Sequence, residues 1–303
     1  MRTTAVFFAF LVVCLLLAAL TTPPLVASGW ITLEPHRLMG RLAQVFILLG
    51  IWPLLAWLGV LERAALGYGV AARTWWRAAG WGWLAGVAIL LVLVLTLLAL
   101  GIRVPDAHER HWTALLQRCA QALFGGALIG LLEETFFRGA LFSAIRRRDG
   151  ASAAMLWSSA LYALLHFTKP GELPAGVAFD WGGSLQMVAY TFVDLFQWRH
   201  LDSLVALVLA GLLLALVREW SGHIGWCVGL HAGWVLVIQL GRTLTDGNPD
   251  SPLAGLVGDY DGTIGWLAAF WLGLLCLGAG IALAARRRRD AASDAGRISH
   301  ALG

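Results

Sequence analysis

A chain of 303 residues with 59% hydrophobic and only 13% charged side chains, and a mean hydropathy of +0.74, is not a soluble globular domain; those carry about 25% charged residues. It reads as an all-α protein, a polytopic membrane helical bundle of about eight transmembrane helices. The net charge of +4 is almost wholly arginine at the ends of apolar runs, where membrane topology needs it, so nucleic-acid binding is not indicated.

Residues 1–110 hold about three spans, near Ala5–Leu25, Ala43–Leu61 and Gly80–Gly101. The first has a basic start and a small-residue stretch at Ala27-Ser28-Gly29, as a secretory signal does. Its apolar run is long for a signal, however, and it is expected to be an uncleaved helix. Trp75, Trp76, Trp81 and Trp83 read as anchors at the membrane–water interface rather than a ligand cage. The scattered cysteines Cys14, Cys119, Cys227 and Cys276 read as small buried hydrophobes, not as a disulfide or zinc framework.

Residues 111–245 carry the chemistry. A fourth apolar segment, from about Gln121 to Ile145, contains Glu133, Glu134 and Arg138. A central ionisable residue costs about 2.5–3.5 kcal/mol to insert, so such groups pair inside the bundle or do chemistry. Glu134 and Arg138 are four residues apart, which stacks them on one helix face as an ion pair. Glu133 lies about 100° around the helix and faces another neighbour, as the working carboxylate. The alternative is that all three form one buried polar knot joining helices.

The fifth, sixth and seventh spans lie near Ala151–Phe167, Leu201–Val217 and Ile224–Leu240. Between the fifth and sixth, the region Thr168–His200 includes an apolar stretch, Leu185–Phe196, which reads as a re-entrant or interfacial helix or as an outer loop on the headgroups. Two histidines fall inside spans, His166 and His231. Counted from the turn near Arg148–Gly150, Glu133 and His166 are both roughly 22 Å deep, and His231 is roughly 16 Å past its own turn. One carboxylate and two imidazoles are thus expected to meet near mid-membrane and activate water. Glu133 would be the base, and the histidines would either bind a divalent metal or donate to an oxyanion. His₂Glu is a catalytic zinc set, so Glu133, His166 and His231 are the candidate ligands of one zinc-like ion, beside a metal-free Glu/His mechanism.

Residues 246–303 hold the last span, near Thr263–Ala285, and a basic tail expected to be disordered beyond Asp290. Arg63, Arg73, Arg77, Arg146–Arg148 and Arg286–Arg289 all fall on one side if both termini are cytoplasmic, as the positive-inside rule asks. Arg37, Arg41, Arg103, Arg110, Arg118, Lys169, Arg199 and Arg242 fall on the other side, so the bias is real but moderate.

With these residues assembled, the stretch Leu115–Leu240 resembles the CPBP family of intramembrane proteases, which includes the type II CAAX prenyl proteases and the Abi-like bacterial proteins. Its E-E-x-x-x-R motif is matched by Glu133, Glu134 and Arg138. Its F-x-x-x-H motif is matched by Tyr162 and His166, with tyrosine for phenylalanine. Of H-x-x-x-N only His231 is present, and Val235 stands at the polar position. The resemblance implies peptide-bond hydrolysis by Glu133-activated water, with His166 assisting and Arg138 orienting the acidic pair. His231 would hold a metal or stabilise the oxyanion, and Gln239 is a candidate substitute for the missing donor. The implied partners are membrane lipid and a membrane-associated peptide or protein. The Ala/Arg/Gly-rich, Lys-poor composition looks bacterial, which places the chain in an inner membrane and makes prenylated CAAX substrates unsafe to assume. Two other classes compete: a non-catalytic immunity or scaffold protein, favoured by Val235, and a proton-coupled transporter, which lacks the broken helix pair expected there.

Overall fold

The computed structural model describes residues 2–107, 111–174, 176–177, 179–195, 197–258 and 260–302. Its helices are α1 (Arg2–Ala27), α2 (Pro35–Leu58), α3 (Ala72–Ala99), α4 (Trp112–Glu134), α5 (Phe142–Phe167), α6 (Trp181–Leu195), α7 (Leu201–Ser221), α8 (Gly225–Leu244) and α9 (Trp266–Leu302). A π-helical turn, Thr135–Leu141, joins α4 to α5 without a break. The run Trp112–Phe167 is therefore 56 residues long, one of seven helical segments long and apolar enough to cross a membrane. Gly150 divides it. Its backbone (φ 88°, ψ 173°) is open to glycine but not to a side-chain-bearing residue, and it turns the chain back inside α5. Counting the two arms separately gives the eight crossings expected from hydropathy.

Without a hydrophobic force between helices in lipid, close packing must hold the bundle, and small residues permit it. The tightest seam is α3 against α8. A Cβ on Gly86 would strike the Leu230 carbonyl, and one on Gly229 would strike the Ala79 carbonyl. On its other flank α8 receives α4, where Gly126 and Gly130 face the Ala232 and Val228 carbonyls. Helix α8 is thus clasped between α3 and α4, and α7 packs between α5 and α9.

The two faces of the bundle differ. On one, Glu219 accepts from Arg146 Nε (2.7 Å) and Arg287 Nη2 (2.8 Å), while Arg147 donates to the Gly59 carbonyl and Arg286 to that of Trp220. These contacts gather the ends of α2, α5, α7 and the apolar part of α9. On the other face, β1 (Arg103–Pro105) pairs antiparallel with β2 (Thr245–Gly247), linking the ends of α3 and α8. Buried Arg103 ties them to the loop before α9, donating to Thr245 Oγ1 (2.6 Å) and the Gly262 carbonyl (2.5 Å). This ribbon has no counterpart in the sequence reading, because three residues per strand carry no readable alternation.

Helix α6 occupies the region read as re-entrant or interfacial; Phe196, at the end of that stretch, lies outside the described residues. At 15 residues it is about 22 Å long, too short to span, and it lies on α1, with Ser184 Oγ donating to the Ala19 carbonyl (2.6 Å). The tail differs from expectation. Instead of disorder beyond Asp290, α9 continues as helix to Leu302.

Candidate active site

The site is assembled by α4, the π turn, α5 and α8. Glu134 and Arg138 are fully buried, and Arg138 Nη1 donates to Glu134 Oε1 at 3.2 Å. Arg138 Nη2 donates to the Gly211 carbonyl (3.0 Å), and the guanidinium carbon lies 4.5 Å from the Tyr162 ring centroid, a cation–π contact. Two charges buried this deeply persist only when paired and hydrogen-bonded, which this arrangement provides. The π turn has its own supports. Arg218 Nε donates to the Arg138 carbonyl (3.0 Å), and Ser143 Oγ donates to the Ala65 carbonyl (2.6 Å). Tyr68 and Thr135 share a hydrogen bond of 2.5 Å at the start of the turn.

His231 is buried on α8 where Gly130 lets α4 approach. Its Nδ1 donates to Glu134 Oε1 at 2.8 Å, which fixes the ring and its tautomer. Nε2 then carries the lone pair, and it lies 3.9 Å from Glu133 Oε2. The Glu133 side chain is 35% exposed, and its Oε2 accepts no hydrogen bond from the described residues. Two lone-pair-bearing atoms therefore face each other across a gap that one water could bridge, donating to both. His166 is held in the same way: Nδ1 donates to the Tyr162 carbonyl (2.8 Å), leaving Nε2 free. The Tyr162 ring makes edge contacts with both imidazoles, at centroid distances of 4.5 Å to His166 and 6.0 Å to His231.

All five predicted residues thus belong to one neighbourhood, but not with equal intimacy. Glu133, Glu134 and His231 converge directly, Arg138 joins through Glu134, and His166 is linked through Tyr162. The free Nε2 atoms and the carboxylate are zinc-type donors, yet among the described residues no three His, Cys, Asp or Glu side chains gather closely enough to hold a metal ion. As placed, the residues do not fit a three-ligand site. Val235, one turn beyond His231, packs toward Gly126. Gln239, the expected substitute donor, is eight residues from His231, about 12 Å along the helix, too far to serve an oxyanion there.

Sequence reasoning missed Glu134 as the orienter of His231. A buried carboxylate has about four acceptor positions and one arginine cannot use them all, which was the available signal. It also missed Arg218, an arginine near the end of an apolar span and 8% exposed.

A bundle of seven to eight helices able to span a membrane, with a buried acid–histidine centre, defines the class. Residues 112–237 match the family model described as Type II CAAX prenyl endopeptidase Rce1-like. The match runs from the start of α4 to Val237 in α8 and contains every residue of the centre. Over that stretch the chain is similar to a family of proteases, which supports a CPBP family member. No curated protein and no solved structure matches it.

Proposed function

We propose that the protein is an intramembrane endopeptidase of the CAAX-protease type, hydrolysing a peptide bond of a membrane-associated protein or peptide with water activated by Glu133. The observation that carries this reading is the facing pair, Glu133 Oε2 and His231 Nε2, 3.9 Å apart with Nδ1 held by Glu134. Glu133 takes a proton from the bridging water as its oxygen attacks the scissile carbonyl. His231 accepts the water's second hydrogen bond and aims its lone pair. The tetrahedral intermediate collapses by breaking the C–N bond, and Glu133 returns the proton to the leaving amine, so the base ends as it began. Glu134 and Arg138 position rather than react. His166 stands beside Tyr162 where it can meet the substrate. No step is routed through a metal ion.

The basic face carrying Arg146, Arg147, Arg286 and Arg287 is assigned to the cytoplasm by the positive-inside rule, which puts both ends of the spanning bundle there. An inner membrane of a bacterium is the setting this reading adopts. Val235 favours the second reading, a non-catalytic immunity or scaffold protein, since valine cannot donate to an oxyanion. Incubation of reconstituted protein with membrane peptides in ¹⁸O-water separates the two. Hydrolysis places one ¹⁸O in each new carboxyl group, read by mass spectrometry, and Glu133→Ala abolishes it. Unlabelled or absent products across a broad peptide set would favour the scaffold.

A further inference from the structure

Beyond Val235, α4 and α8 diverge and leave a furrow of about 220 Å³. Arg118, Gln121 and Gly125 line it from α4, and Gln239 and Thr243 from α8. Its inner end is Ile129 and Val235, so it runs from the ribbon face of the bundle and stops one helical turn short of Glu133 and His231. A Cβ on Gly125 would meet nothing within 4 Å, whereas one on Gly126 would meet α8, which marks where the helices part. The polar lining is unusual for its surroundings. Neighbouring Leu116, Phe124 and Leu128 are 67%, 79% and 58% exposed, as lipid-facing side chains are. Among the described residues, the exposed side chains of Arg118, Gln121 and Gln239 have no hydrogen-bond or ion-pair partner, which leaves them available to a ligand.

We propose that this furrow is the substrate's docking cleft, and that it takes an extended peptide segment bearing a carboxylate that Arg118 binds. This rests on the hydrolase reading and names the substrate class for the same site. Acyl chains offer nothing to the two carboxamides, whereas an extended peptide exposes N–H and C=O groups that lipid leaves unsatisfied. Gln121 and Gln239 can donate to and accept from that backbone. The charge at the outer end is positive, so the complementary group is an anion. Arg118 is 15 residues from Glu133, about 22 Å along α4, which is the length of roughly six or seven extended residues. The recognised carboxylate therefore lies about five to seven residues from the scissile bond, allowing for the reach of the arginine. It can be a free C-terminus or an acidic side chain.

The test is peptide binding to the inactive Glu133→Gln protein in nanodiscs, read by fluorescence anisotropy, together with cleavage by the otherwise unaltered protein. The peptides place a single aspartate three to nine residues from the cleaved bond, or end in a free or amidated C-terminus at those positions. Peptides with the carboxylate at five to seven should bind roughly 10–100-fold more tightly than uncharged ones, the worth of one charge-assisted pair. In the same background Arg118→Gln should abolish that preference, and Arg118→Glu should transfer it to lysine-bearing peptides. Gln239→Leu should weaken all peptides alike. An amidated terminus that still binds through an internal aspartate identifies the side chain as the natural group; dependence on the free terminus identifies the C-terminus. The proposal is overturned if Arg118→Gln keeps the preference, or if Arg118 alters only the effect of added anionic lipid, which would make it a headgroup site. Cleavage that ignores Arg118 overturns the cleft and leaves the hydrolase. Arg118-dependent binding without cleavage overturns the hydrolase and leaves the cleft.

Discussion

Glu134 is the residue on which both the packing and the orientation of the site depend, and Glu134→Ala makes that dependence measurable. Its Oε1 receives Arg138 at 3.2 Å and His231 at 2.8 Å, and its side chain is fully buried. Removing one partner of a buried ion pair costs about 3–5 kcal/mol, because the surviving charge stays desolvated. Arg138 would keep the Gly211 carbonyl and the Tyr162 ring, and a desolvated cation–π contact is worth about 2 kcal/mol, so the loss should fall near 3 kcal/mol. For a chain of this size that is a fall in melting temperature of roughly 5–10 °C. Scanning fluorimetry in detergent measures it. Arg138→Met should be comparably harmful alone, but the double variant should recover much of the loss, since no charge is then stranded. The resulting coupling of about 1–3 kcal/mol is the signature of the pair. Glu134→Ala melting within about 1 °C of the native protein, or strictly additive effects of the two changes, would refute the reasoning, because neither is compatible with a buried mutual dependence.

Arg218→Met should cost about 1–3 kcal/mol by stranding the Arg138 carbonyl of the π turn, seen as a lowered melting temperature. Gly229→Val drives a branched side chain into the Ala79 carbonyl, so the α3–α8 seam should not close and the protein should elute as aggregate in size-exclusion chromatography. His223, between α7 and α8, has its pKa lowered by burial and then by Arg218, and its Nδ1 accepts the Gly225 N–H at the start of α8. The unfolded chain therefore takes up the proton first: the stability from a neutral His223 is present above about pH 6.5 and lost as pH falls below it. Melting followed from pH 7.5 to 5.5 should show that decline, and His223→Asn should flatten it. Chelation by phenanthroline should leave cleavage within about twofold, given that no three ligands gather among the described residues; a tenfold or greater loss restored by zinc would mean that Glu133, His166 and His231 close around an ion.

The spans were legible because 20 apolar residues are a strong signal, and Glu133, Glu134 and Arg138 stood out because charge inside such a run is costly. The ion pair followed from a spacing of four, a property of one helix alone. What escaped was whatever depends on two helices meeting. The bond from His231 to Glu134 joins residues 97 apart, and it exists because Gly130 lets α4 approach α8. Equal depth brought His166 and Glu133 level, but depth says nothing of rotation about the helix axis, and it is rotation that sets Tyr162 against both imidazoles. The π turn was hidden because one extra residue in a turn leaves hydropathy unchanged while shifting the phase of everything after it. The furrow was illegible for a related reason: Arg118 and Gln121 look like stray polar residues until Gln239 and Thr243 are seen opposite them.

The central claim is that the Glu133 carboxylate takes the proton from the attacking water, and the rate of Glu133→Gln tests it most directly. The substitution keeps shape and burial and removes only the base. Under single-turnover conditions in liposomes the account predicts a rate about 10²–10⁴-fold below that of the unaltered protein, with the melting temperature unchanged. A Glu133→Gln protein that cleaves at the native rate would contradict it.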